Sequence, residues 1–208
     1  MDNNKPTHII FDLGGVLINL DMPRTFKAFQ ELAPQSEVNW KEMLHHPIPL
    51  RYEQGFISDA EFRDGLREIL KANVSDEQID WAWNQMILDF PEDRFPLLEE
   101  LAEKYVVLLL SNTNDIHLRY VHSKVQEMGY EELDQFFTKA HYSHRMGLRK
   151  PDQAIYQAVL AEHDIRGAQA LFIDDNPFNI RAAGEMGIQT HHLTDINTLP
   201  DFISSRLL

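Results

Sequence analysis

An apolar run, Ile9-Ile10-Phe11, delivers one carboxylate, Asp12, and Leu13-Gly14-Gly15-Val16-Leu17 then carries the chain away from it. The near neighbours are glycine or apolar, so Asp12 has no local charge partner and must be met by a group from elsewhere in the fold. A cation is the obvious candidate, and a turn aspartate at a strand end is the plain alternative. Three further groups stand in similar places. Ser111-Asn112-Thr113-Asn114 follows Val106–Leu110, Lys150 precedes Pro151, and Asp174-Asp175-Asn176 follows Leu171-Phe172-Ile173. Ser111 and Asn112 could equally cap a helix, Lys150 could be a solvated lysine, and Asn176 before Pro177 reads as an N-cap. The pair Asp174-Asp175 is harder to explain away. Two adjacent carboxylates repel each other near a third at Asp12, and a hard divalent cation would relieve that repulsion.

These groups need elements that bring them together. Apolar runs at Ile9–Phe11, Val106–Leu110, Phe137–Tyr142, Ala170–Ile173 and Gly187–Leu193 read as strands. Between them lie amphipathic helices, one lined by Ile116, Tyr120 and Val121, one by Ile155, Ala158 and Val159, and one by Ile180, Ala183 and Met186. Strands alternating with helices predict an α/β fold, a doubly wound parallel sheet of Rossmann-like type covered on both faces. In such sheets ligands bind beyond the carboxyl ends of the strands, which is where the polar groups above fall. Pro151 suits the first position of a helix, which would place Lys150 at a helix amino terminus.

Between the first two strands the chain takes a long detour with helical periodicity and almost no strand signal. Met22, Phe26, Phe29 and Ala33 repeat at helical spacing. Ser58 with Glu61, and Ser75 with Gln78, look like capping boxes opening helices lined by Phe62, Leu66 and Ile69, and by Ile79, Trp83, Met86 and Ile87. Trp81 and Trp83 read as core of this insertion. Phe95, Leu98, Leu101 and Ala102 lead back to the sheet. The expected division is a core of residues 1–20 and 97–208 and an all-helical insertion of residues 21–96.

The chain has 208 residues, 43% of them hydrophobic, enough for one well-buried core and a subdomain. A formal charge of −14 and a pI near 5.0 argue against nucleic-acid or anionic-membrane binding. The lack of cysteine excludes disulfides, thiolate metal sites and a cysteine nucleophile, and fits a reducing compartment. The first six residues are polar and include Asp2, unlike a signal peptide, and no run approaches membrane-spanning length. A soluble, cytoplasmic protein, monomeric or weakly dimeric, is expected.

The order Asp12-x-Gly14, Ser111-Asn112, Lys150 and Asp174-Asp175-x-x-x-Asn179 resembles the four motifs of the haloacid dehalogenase-like hydrolase superfamily. The detour looks like its helical C1 cap, and the stretches around Ser111, Lys150 and Asp174 look especially like the subgroup containing alpha-glucose-1-phosphate phosphatases. The resemblance implies a phosphatase acting on a small phosphorylated metabolite with Mg²⁺. Asp12 would attack phosphorus and form an aspartyl-phosphate that water hydrolyses. The metal ligands implied are Asp12, the Gly14 carbonyl and Asp175, with Asp174 and Asn179 as direct ligands or support. Ser111, Asn112 and Lys150 would hold the phosphate, Lys150 also offsetting charge during catalysis.

One position departs from the pattern. Most phosphatases of the superfamily carry a second aspartate two residues after the nucleophile as general acid, and here that residue is Gly14. A slow phosphatase, a non-catalytic phosphate-binding relative, or a substrate needing little help from an acid would each account for it. The third is favoured and suits a sugar 1-phosphate. Asp21, Glu53, His141 or His144 could replace the acid. A dehalogenase is the enzymatic alternative, disfavoured by Asp174-Asp175 because that chemistry needs no cation. Arg51, Tyr52 and Glu53 are the insertion's candidates for reaching inward, with an exposed helix end explaining them equally well, and His191-His192 should point to opposite faces of its strand.

Overall fold

The computed structural model describes residues 5–36, 38, 39, 43 and 46–208. Its centre is a parallel sheet of β1 (His8–Phe11), β2 (Val106–Ser111), β3 (Lys139–Tyr142), β4 (Ala170–Asp174) and β5 (Gln189–His192), in the order β3-β2-β1-β4-β5. The chain builds outward from β1 to one edge, then returns to β4 and builds to the other. β1 and β4 therefore flank the point where the direction of winding reverses, which leaves a crevice at their carboxyl ends. Phe11 lies beside Ile173, so Asp12 and Asp174 emerge side by side.

The central strands β1, β2 and β4 are largely apolar on both faces because both faces are covered, whereas the edge strands β3 and β5 carry polar residues. Ile9, Phe11, Val107, Leu109 and Ile173 join one buried cluster, and the alternate residues Ile10, Leu108, Leu110 and Phe172 join another. Helices Arg94–Ala102, Asp115–Glu127 and Leu199–Arg206 supply the first cluster with Phe95, Leu98, Val121 and Ile203. Gln153–Glu162 and Pro177–Glu185 supply the second with Ile155, Val159 and Ala183. The architecture is the doubly wound α/β fold that the alternation predicts.

Between β1 and β2 the described residues form helices α1 (Met22–Leu32), α2 (Pro47–Glu53), α3 (Asp59–Leu70) and α4 (Asp76–Asn84). Both capping boxes form: Ser58 Oγ accepts from Glu61 N while Glu61 Oε2 accepts from Ser58 N at 2.8 Å, and Ser75 pairs with Gln78 in the same way. Arg63 grips both oxygens of Asp80, at 2.8 and 2.7 Å, clamping α3 to α4. The two ends of the insertion pair with each other: Asn19 N donates to Asp89 O, Leu88 N to Asn19 O and Asp21 N to Met86 O. That ribbon holds Leu20 and Ile87 opposite one another.

Three expectations change. Met86 and Ile87 lie past the end of α4, in the ribbon rather than the helix. Trp83 is buried, but Trp81 is 49% exposed, because on α4 residues two apart face different ways. Pro151 does not open the helix after Lys150: that helix starts at Gln153 with Asp152 as its N-cap, and the Lys150–Pro151 bond is cis.

Candidate active site

Lys150 is the hub. It is buried, and its Nζ lies 2.8 Å from Asp12 Oδ1 and 2.7 Å from Asp174 Oδ2. The cation that the isolated Asp12 calls for thus arrives from the segment between β3 and the helix Gln153–Glu162. Burial pulls the ammonium down, but the Asp12 and Asp174 charges outweigh it and keep Lys150 raised and protonated. Burial pushes Asp12 up to about 7, partly offset by Lys150 and reinforced by Asp174 and Asp175. Burial and Asp174 likewise raise Asp175. Oxygens of Asp12, Asp174 and Asp175 lie within 4.8 Å of one another. Three carboxylates facing one ammonium leave an excess of negative charge that hard cations such as Mg²⁺ or Ca²⁺ fit.

The supporting bonds show what each side chain is free to do. Asp174 also accepts from Asn179 Nδ2, at 3.1 Å to each oxygen, and from Asn176 N at 2.8 Å. Asn112 has both ends of its amide on the main chain of Lys150: Nδ2 donates to Lys150 O and Oδ1 accepts from Lys150 N, each at 2.8 Å. Ser111 is buried at the end of β2. Gly15 has φ +69°, and a Cβ there would stand 2.4 Å from Asp175 Oδ2, so the loop needs a glycine to admit that carboxylate. Gly14 needs none for its backbone. A Cβ on it would lie 2.5 Å from Leu20 Cδ1.

A cavity of about 180 Å³ adjoins these groups between the sheet's end and the helical insertion. Gly14, Ser111 and Asn112 form one wall, and Leu20, Trp83 and Met86 belong to the other. Of the insertion's candidates for reaching inward, Glu53 lines this cavity with Arg149 at 3.0 Å, whereas Arg51 is exposed. Tyr52 is buried, donating to Asp59 at 2.5 Å and accepting from Ile116 N. Burial raises Glu53, and Arg149 opposes it. His141 is instead buried beside His163, and His144 binds Thr113 O and Asp115. His191 stacks on Phe202 while the neighbouring His192 bonds Asp175 O, which is the expected opposition of faces.

Sequence reasoning missed Leu20 and His117. His117 lies one turn before Val121 on the same helix face, a spacing that marks it as inward-facing. Its Nδ1 pairs with Asn84 Oδ1 at 2.9 Å, its ring stacks on Trp83, and burial pushes it down to about 3.

Residues 6–187 match the model of the haloacid dehalogenase-like hydrolases. The chain belongs to this family. Among solved haloacid dehalogenase-like enzymes, one from Bacteroides thetaiotaomicron, in complex with magnesium and inorganic phosphate, is 40% identical. It superposes with a TM-score of 0.83 over 90% of this chain and 93% of that one. A D-ribitol-5-phosphate phosphatase of Bacteroides thetaiotaomicron is 26% identical over 184 residues, 88% of this chain and 89% of the relative. A sesquiterpene phosphatase of Aspergillus oryzae is 38% identical over 104 residues, 48% of each chain.

Proposed function

We propose that the protein is a magnesium-dependent phosphomonoesterase that hydrolyses a small phosphorylated metabolite through a phosphoryl group carried on Asp12. The observation that carries this reading is Lys150 Nζ held between Asp12 and Asp174, with Asp175 completing the acidic group. The phosphatase names of two relatives, and the magnesium and phosphate bound to a third, support it.

The oxygen-only donor set fits Mg²⁺, with Asp12, Asp175 and the Gly14 carbonyl as its protein ligands. The ion, when bound, would supply charge neutralisation for the nucleophile and the phosphoryl group. Asp174 keeps Lys150 and Asn179 in place from behind. Ser111 donates to the phosphate. Asn112 acts through Lys150, whose main chain its side chain holds. Asp12 Oδ attacks phosphorus as the bond to the substrate's alcohol oxygen breaks. Water then attacks phosphorus, the P–Oδ bond breaks, and phosphate leaves a restored carboxylate.

No acid stands at residue 14, where Leu20 fills the neighbouring space, so the alcohol must leave without a proton from that position. A sugar 1-phosphate meets that demand, and so does an aryl phosphate. Residues 1–20 and 97–208 act in this reading as the hydrolase core, and residues 21–96 as a cap that excludes water.

Assay of a panel of phosphomonoesters with and without magnesium tests the proposal, with Asp12→Asn as control. Turnover that requires magnesium and vanishes in the variant is expected. Turnover that survives excess chelator would overturn the magnesium requirement, and halide release from a haloacid in chelator would revive the dehalogenase-type alternative. The Gly14–Leu20 arrangement also suits a phosphate-binding regulator without useful turnover, and a burst of product followed by a stalled phosphoenzyme would favour it.

A further inference from the structure

Several polar groups of the cavity beside Gly14 are engaged with the protein itself. Glu53 accepts from Arg149 at 3.0 Å, His117 Nδ1 pairs with Asn84, and the Asn112 amide holds the main chain of Lys150. Ser111 belongs to the phosphate end in the reading above. Among the described residues the rest of the lining is mostly apolar, Ile18, Leu20, Met22, Met86, Ile87 and the Trp83 ring, with Thr113 and the unpartnered Trp83 Nε1 as its further polar groups. The His117 ring is neutral and lies flat on Trp83, with centroids 4.9 Å apart and planes within 8°.

A polyol chain placed here would bury its hydroxyls against methyl, thioether and indole surfaces, with Trp83 Nε1 able to replace the water partner of one, so that most lose theirs without replacement. An apolar group would lose nothing and gain contact on most sides. The volume of about 180 Å³ is that of a modest ring or short chain, since a cavity of roughly 150 Å³ accommodates benzene. Leu20 continues the same apolar surface up to the space beside Gly14.

We propose that the alcohol part of the substrate is apolar, an aryl group packed against Leu20, Trp83 and Met86, and not a polyhydroxyl chain. This rests on the phosphomonoesterase reading and narrows it. Glu53 and Arg149 close the polar rim, and the ester oxygen sits where the apolar wall meets Ser111.

The test is kcat/KM of the whole protein with magnesium for methyl, butyl, hexyl and phenyl phosphates, against polyol phosphates of matching chain length. Each added methylene should raise kcat/KM by about threefold, near the ceiling of roughly fourfold for a fully buried CH₂, until the cavity is full. Hexyl phosphate should exceed its polyol counterpart at least about tenfold, the product of two such steps. Equal or better use of the polyols overturns the inference and leaves the phosphatase reading standing. If neither series is hydrolysed with magnesium, calorimetric binding of hexanol against sorbitol decides the cavity's chemistry, and the phosphomonoester panel above decides the phosphatase reading. Saturable binding of hexanol alone supports an apolar site, and binding of sorbitol, or of neither, overturns it.

Discussion

Leu20 Cδ1 lies 2.5 Å from where a Cβ on Gly14 would stand, so an apolar side chain occupies the space that any longer residue at position 14 would enter. The loss of the usual acid and the gain of an apolar wall are thus one local arrangement. Leu20 is 40% exposed and flexible, so it can swing outward at small cost. Gly14 is not among the residues with positive φ, and Gly14→Asp should fold with little change in melting temperature. Combined with Leu20→Ala, it should raise hydrolysis of esters of unactivated alcohols by about 10²-fold, the low end of a general acid's contribution. Aryl phosphates should gain little. Equal gains for both ester types in steady-state assays would contradict this account of Gly14.

Gly15→Ala should behave differently although the residue is adjacent. Its φ of +69° disfavours a side chain, at a cost of about 1–3 kcal/mol, and the new methyl would meet Asp175 Oδ2 at 2.4 Å. Magnesium affinity should fall about 10–100-fold, the usual loss when a ligand's support is disturbed. Titration calorimetry on the folded variant checks this. An unchanged affinity would remove Asp175 from the proposed metal site.

Lys150→Met leaves three carboxylates together with no protein cation among them. Removing one partner from a buried ion pair costs about 3–5 kcal/mol, and a comparable loss of unfolding free energy is expected here. Millimolar magnesium should restore more stability to the variant than to the wild type, because it offsets the same charge. Thermal melts with and without the ion measure the difference. An equal magnesium shift in both proteins would contradict the electrostatic role given to Lys150.

Much of this was legible in the sequence because it depends on local pattern. The run before Asp12 and the run before Asp174 end as strands in register, so both carboxylates were placed by periodicity alone. The Ser58 and Ser75 capping boxes are short-range hydrogen-bond chemistry and formed as read. The engagement of Asn112 with Lys150, 38 residues away, was not legible, nor was Leu20 over Gly14. The first depends on how segments distant in sequence cross, and the second on the path of the loop between Gly14 and Leu20, neither of which side-chain type and spacing encode. Pro151 was misplaced for a related reason: its ring suits a first helical turn, but tertiary contacts at Lys150 set where the helix begins.

His117 makes stability depend on pH. An unfolded histidine takes a proton near 6.5, whereas burial pushes His117 down to about 3. Between those values the unfolded chain binds the extra proton, so the stabilisation is full above pH 6.5 and is lost as the pH falls toward 3. His141, pushed down to about 4 by burial, acts in the same direction. His117→Gln should flatten the decline in unfolding free energy by up to about 1.4 kcal/mol per pH unit in this window. Denaturant titrations of both proteins at several pH values test it, and parallel curves would show that His117 is not held neutral by burial.

The most direct test of the central claim is the fate of Asp12 during turnover. The protein is mixed with magnesium and a hydrolysed phosphomonoester, quenched in acid, and the peptide containing Asp12 is weighed by mass spectrometry. The account predicts one phosphoryl group on Asp12, dependent on magnesium, lost on alkaline treatment and absent with its turnover in Asp12→Asn. Magnesium-dependent turnover that persists in Asp12→Asn, or a phosphoryl group on any other residue, would contradict it.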